Sequence, residues 1–295
     1  MKHKKLLSSL LLVLAALIWG TAFVAQRVGL VYAGPLGFNG VRCLIGAAVL
    51  VPVSLIFRPG AAVSRRKTLL AGLLCGLCLF MATNLQQIGL KYTDAGKAGF
   101  ITTFYIILVP VLGIFLRKRT GAVTWLAVAI ALGGLWCLCM KPGQFSVGTG
   151  DLLVLGCALF FAVQILVVDR FVQEADGVML CCIQFAVDGL LSLVAAFLFE
   201  QPDFRLLLRG WVPLLYTGVL SCGVAYTLQI IGQKELHPTV ASLLMSLEST
   251  FAVLGGWLIL HERLTGRELL GCGLMLAAVV LVQLAPAKKP EGTAS

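Results

Sequence analysis

One stretch of this chain occurs twice. Leu85-Gln86-Gln87-Ile88-Gly89-Leu90-Lys91 returns as Leu228-Gln229-Ile230-Ile231-Gly232-Gln233-Lys234, with Leu, Gln, Ile, Gly and Lys in the same places at a shift of 143. Other pairs keep nearly the same spacing: Ala16 and Ala158 lie 142 apart, Gly113 and Gly256 143, and Arg119 and Arg263 144. So small a drift marks an internal duplication. Each copy holds five long apolar runs. An odd number of crossings forces the second copy to enter a bilayer upside down relative to the first, and that inversion restricts the fold more than any other feature.

The runs cover residues 6–25, 36–57, 68–90, 98–116 and 122–140, then 152–168, 178–199, 211–231, 240–260 and 269–284. Each is close to the roughly 20 residues a membrane helix needs, and none alternates as a barrel strand would. Only 12% of the 295 residues are charged and 59% are hydrophobic, against about 25% charged in a soluble domain. Lipid must therefore be the solvent. The expected fold is an all-α polytopic membrane protein of ten transmembrane helices in two inverted five-helix repeats, residues 1–145 and 146–285. A polar, Gly-rich joint links them, and a disordered cytoplasmic tail follows at 286–295. The first run is longer than a leader's apolar core, and its counterpart in the second copy cannot be a leader, so it reads as a retained span.

The formal charge is +10. Its basic residues sit in short clusters between apolar runs, which indicates membrane orientation and not nucleic acid. With the amino terminus inside, the first copy places ten Lys and Arg on the inner side (among them Lys2, Arg58, Arg65 and Lys118) and four on the outer side: Arg27, Lys91, Lys97 and Lys141. The second copy divides four against four. Both termini are thus expected in the cytoplasm, in a cell (inner) membrane. The ten cysteines lie mostly within apolar runs without a metal-ligand set, so no metal and no cofactor are expected. Connections are short, and no P-loop, HExxH or G-x-S-x-G pattern occurs. Any function has to be carried out by the spans themselves.

Charge inside a span is costly. Arg42, Asp188 and Glu248 are the three instances. Glu248 falls near mid-depth of the ninth span, between Ser246 and Ser249. It reads as a solute contact or a proton-carrying group. Arg42 is nearer the outer end of the second span, where snorkelling is the plainer reading. Asp188 shares a face with Gln184, and no partner for it can be named. A second set of polar and aromatic residues recurs at equivalent depth in both copies. Trp19 and Phe23 lie on the first span, Phe161 and Gln164 on the sixth. Gln86 matches Gln229 across the repeat, and Tyr226 shares the face of Gln229. Thr102 and Tyr105 share a face of the fourth span, and Tyr105 matches Glu248 at the shift of 143. Met245 precedes Glu248 by one turn. These eleven residues are the expected substrate-binding set, lining one pocket between the copies. Pro110 predicts a kink in the fourth span.

These residues resemble a known family. Ala16-Leu17-Ile18-Trp19-Gly20-Thr21-Ala22-Phe23 is similar to the Trp-Gly-x-x-Phe start of EamA-type carriers of the drug/metabolite transporter superfamily. Arg42, the Gly150-Asp151 opening and Ser246-Leu247-Glu248 leading to Glu262-Arg263-Leu264-Thr265 extend the likeness over about residues 7–284. The chain departs from the family where Glu248 is followed by Ser249-Thr250 in place of Pro-Val, and where the first copy has Lys118-Arg119 in place of Glu-Arg. The resemblance implies a cavity bounded by spans 1, 3, 4, 6, 8 and 9, with Trp19 and Glu248 carried over directly. It also implies export of small metabolites such as amino acids. The expectation is a secondary transporter, not an enzyme, moving a small-molecule solute by alternating access on a solute or proton gradient, as monomer or homodimer. The alternatives are a solute channel or an intramembrane enzyme acting on a lipid-like substrate.

Overall fold

A computed structural model describes residues 2–56, 63–93, 95–118, 120–140, 147–259 and 265–284. The expected tail at 286–295 lies outside the described residues. Ten helical spans are found among them, and no strand. The first five are α1 (Lys2–Gly29), α2 (Pro35–Ile56), α3 (Arg65–Gly89), the pair α4 (Ala95–Thr102) and α5 (Tyr105–Phe115), and α6 (Ala122–Cys139). The second five begin with α7 (Thr149–Phe171) and α8 (Gly177–Phe199). A short α9 (Phe204–Arg209) leads into an eighth span made of α10 (Trp211–Leu215), a π-helical segment (Tyr216–Ala225) and α11 (Tyr226–Gln233). The pair α12 (Pro238–Met245) and α13 (Glu248–Ile259) forms the ninth span, and α14 (Gly266–Leu284) the tenth. Eight spans are long and apolar enough to cross a bilayer. The fifth and ninth have shorter apolar cores, Ala122–Leu138 and Pro238–Leu254.

Burial is reversed relative to a soluble protein. Leu6, Leu7 and Leu10 on α1 and Leu190, Val194 and Phe197 on α8 are exposed, while Asn39, Gln87, Gln184 and Asp188 are fully buried. Apolar side chains on the outside and amides inside require lipid around the bundle, and they place the polar chemistry at the helix interfaces.

Helix pairing reveals how the copies meet. Span three packs on span six as span eight packs on span one, and span three packs on span seven as span two packs on span eight. Spans two and seven pack on each other, as do spans five and ten. Two glycines show the same relation in detail. A Cβ on Gly89 would lie 2.6 Å from Val154 and 3.0 Å from the Gly150 carbonyl, and one on Gly232 would lie 2.8 Å from Leu12 and 3.0 Å from the Ser8 carbonyl. Gly232 is the repeat mate of Gly89, and Val154 and Gly150 are the mates of Leu12 and Ser8. Exchanging the copies therefore reproduces the contact, which is a two-fold relation between inverted repeats.

Two spans are interrupted at the same point of the repeat. In the fourth, Phe104 N–H donates to Ile101 C=O and Ile106 N–H to Thr103 C=O. In the ninth, 143 positions on, Leu247 N–H donates to Leu244 C=O and Ser249 N–H to Ser246 C=O. Tight i→i+3 turns thus replace the α-helical ladder at both places. Thr103 Oγ1 and Ser246 Oγ bond back to the preceding turn, to Gly99 C=O at 2.6 Å and Leu243 C=O at 2.7 Å. Back-bonding of this kind bends helices without proline. The break in the fourth span lies upstream of Pro110, which sits inside α5. The ninth span breaks although the family's proline is absent.

Candidate functional site

The two interruptions face each other. Thr103 Oγ1 and Ser249 Oγ are 3.1 Å apart, and Tyr105 O–H donates to Glu248 Oε1 at 3.3 Å. Tyr105 and Glu248 open the second halves of their spans, so the paired breaks deliver a phenol and a carboxylate to the same depth. Beside them lies a cavity of about 60 Å³.

All eleven residues singled out from the sequence line this cavity. Trp19 and Phe23 come from α1, Phe161 and Gln164 from α7, and Gln86 from α3. Thr102 and Met245 end the helices just before the two breaks. Tyr226 is held edge-to-face by Trp19 (centroids 4.7 Å apart) and Phe185 (5.0 Å). Such contacts fix aromatic walls in place. Amides order the rest of the lining. Gln86 Nε2 donates to Thr102 Oγ1 at 3.1 Å, and Gln229 Nε2 donates to Gln164 Oε1 at 3.1 Å.

Eight other lining residues among those described lie outside the expected binding set: Gln26, Arg42, Cys43, Thr83, Ile165, Phe185, Ser221 and Cys222. The repeat shift applied to residues already chosen points to two of them. Thr83 is the mate of Tyr226, and Ile165 is the mate of Phe23. Cys43 and Phe185 are mates of each other but look like ordinary packing residues. Ser221 and Cys222 reach the lining from the π-helical segment, whose wider turn has no signature in the sequence. The cavity thus extends to spans two and seven, beyond the six that the resemblance implied.

Arg42 does not snorkel. It is 4% exposed, and its Nε donates to Asn39 Oδ1 at 2.9 Å. Asn39 Nδ2 in turn donates to Asp188 Oδ1 at 3.0 Å. Asp188 also accepts from Ser192 Oγ (2.9 Å), Thr83 Oγ1 (3.1 Å) and Cys43 Sγ (3.3 Å). Four donors occupy a carboxylate's acceptor capacity. The partner that the sequence left unnamed for Asp188 is this network, which ties spans two, three and seven.

The end of the bundle where span four leaves and span nine enters is held by contacts between the copies. Lys118 pairs with Asp169, and Thr120 Oγ1 lies 3.2 Å from Thr239 Oγ1. His237 caps α12 by accepting at Nδ1 from Thr239 N–H at 3.3 Å. Burial and nearby Lys118 push the His237 imidazole below its ordinary value. A cap that accepts at Nδ1 needs the neutral ring, so its contribution is complete above about pH 6.5 and fades as pH falls below. Thermal unfolding in detergent is expected to show a loss of about 0.5–2 kcal/mol between pH 7.5 and 5, and His237→Asn, which caps without titrating, should flatten that part of the profile.

A family model gives this arrangement its place. The model of the EamA-like transporter family matches residues 6–140 and again residues 148–284. The chain belongs to the EamA-like transporter family. It is therefore a multi-pass membrane protein of the drug/metabolite transporter superfamily, and its relatives agree. An uncharacterized transporter of Archaeoglobus fulgidus is 31% identical over 95% of this chain and 87% of its own length. The uncharacterized transporter YoaV of Bacillus subtilis is 25% identical, covering 90% and 92%. The threonine/homoserine exporter RhtA of Escherichia coli is 27% identical, covering 91% and 88%. A solved structure described as a crystal structure of protein superposes with a TM-score of 0.77 over 93% of this chain and 96% of that one. Its 18% identity makes that a likeness of fold. In this EamA-like chain, the Trp-Gly-x-x-Phe start has a physical reason. Trp19 and Phe23 face the cavity, while Gly20 lets α1 touch the backbone of α13 beside Glu248.

Proposed function

We propose that this EamA-like transporter is a secondary exporter of small organic metabolites such as amino acids, and that it works by alternating access around the cavity between its repeats. The observation that carries this reading is the pair of breaks at repeat-equivalent positions, which set the buried Tyr105 and Glu248 together at the cavity. Interrupted helices at the meeting of inverted repeats allow a site to be exposed first to one side and then to the other. The eleven lining residues named from the sequence act as the solute-binding set, with Glu248 taking the solute's amino group. The moving units are residues 1–145 and 146–285. Both termini face the cytoplasm, so the Lys118–Asp169 and Thr120–Thr239 contacts lie on the inner side and must part when the cavity opens inward. The likeness to RhtA, named for threonine and homoserine, supports amino acids as the first solutes to try.

Counterflow in proteoliposomes tests the proposal. Vesicles loaded with unlabelled amino acid should accumulate the labelled one transiently, and a planar bilayer should show no unitary currents. Ohmic conductance without counterflow would make the protein a channel and end the carrier reading.

A further inference from the structure

Glu248 accounts for one charge in the cavity, and Arg42 is a second that transport as described leaves unused. Its guanidinium has five N–H groups. Only Nε has a partner among the described residues, the Asn39 carbonyl oxygen. Asn39 cannot turn its amide around, because its Nδ2 is engaged by Asp188 and Thr83. Asp188 is itself filled by four donors, and no ion pair joins it to Arg42 among the described residues. The guanidinium is thus held by a rigid support, both of its Nη atoms are without a hydrogen-bond partner among the described residues, and Arg42 lines the cavity. Glu248 lines the same cavity. Its Oε1 accepts from Tyr105, while Oε2 has no hydrogen-bond partner among the described residues. No ion pair joins Arg42 to Glu248 among the described residues.

We propose that Arg42, positioned by Asn39 and Asp188, binds the carboxylate of the carried solute, so that the solute is a zwitterion with one free carboxylate and one amine. This rests on the transport reading above. A buried cation with unspent donors is costly to leave unmatched. A carboxylate meets the two Nη atoms of a guanidinium side by side, a fit an ammonium group in its place would not offer. A simple amine would satisfy Glu248 and leave Arg42 unmatched, and a simple acid would do the reverse. The cavity has room for about four to six water-sized groups at about 10–15 Å³ each, enough for an amino acid with a small side chain.

The test is proteoliposome counterflow with labelled common L-amino acids and with their decarboxylated amines. The amino acid carried fastest is then competed with its own methyl ester and its own amine. Both competitors should act at least about tenfold more weakly than the parent, and Arg42→Gln should lower the parent's affinity at least about tenfold while leaving the amine's unchanged. Loss of discrimination between acid and amine is a readout that a purely structural arginine would not give. Should Arg42→Gln fail to fold, Arg42→Lys serves in its place: it keeps the charge, loses the fork, and should weaken the parent alone. Wild-type protein that accepts the methyl ester as well as the parent, or variants that lose acid and amine equally, would overturn the assignment. Exchange of amines but of no amino acid would also overturn it while leaving the carrier intact. Exchange of neither class would overturn the assignment together with the amino-acid part of the transport reading.

Discussion

Proteoliposomes carrying Glu248→Gln are expected to lose amino-acid counterflow almost completely. The substitution keeps the side chain's size, and its amide oxygen still accepts from Tyr105, so the break in the ninth span has no reason to collapse. What it removes is the only carboxylate among the described residues that line the cavity. A hydrogen bond to a charged partner contributes about 1.5–3 kcal/mol. Losing it from a solute's ammonium should raise the half-saturating concentration about 10- to 150-fold. If Glu248 carries a proton instead, the rate falls and the pH dependence of exchange disappears with it. A variant whose transport and pH profile both match wild type would mean that Glu248 has neither role.

Gly20→Ala is expected to destabilise the protein and to inactivate it. The added Cβ would stand 2.5 Å from the Glu248 carbonyl oxygen, 2.8 Å from the Ala252 nitrogen and 2.8 Å from Phe251 Cβ. Two of these atoms are backbone and the third is fixed to it, so no rotamer change relieves the clash. Helices α1 and α13 must separate, at a cost of about 1–3 kcal/mol. The displaced segment begins at Glu248, so binding suffers along with stability. Gly273→Ala is the control. It lies in α14 with nothing within 4 Å of its Cβ position, and alanine there should be neutral or stabilising by up to about 1 kcal/mol. Thermal unfolding in detergent and counterflow would measure both variants. Equal melting behaviour for the two would show that the approach of α1 to α13 is not tight.

The repeat made most of the fold legible. Gln86 and Gln229, or Tyr105 and Glu248, are individually unremarkable polar residues in apolar runs. Paired by a constant shift, they mark equivalent depths in two inverted copies, and the structure brings them to one cavity. The breaks were harder to read. Pro110 predicts a kink, whereas the interruptions occur at Thr103-Phe104 and Ser246-Leu247, where hydroxyl back-bonds and tight turns replace the α-helical ladder. Single hydroxyl residues in a helix carry no such signal, because most leave it straight. Arg42 departs from its expected place for a different reason. Position along a span predicts snorkelling, and only the tertiary arrangement shows that Asn39 and Asp188 wait for it in the interior. The π-helical turn at Tyr216–Ala225 has no counterpart in the third span, so the duplication itself conceals it.

Alternating access requires one cavity that opens to the two sides of the membrane in turn. Cys222 lines it and supplies a native probe. In a chain whose other cysteines are replaced by serine or alanine, Cys222 should react with a membrane-impermeant thiol reagent applied to either face of oriented vesicles, and the carried amino acid should protect it from both. A Cys222 that reacts from one face alone, whatever solute is present, would contradict alternating access around this site.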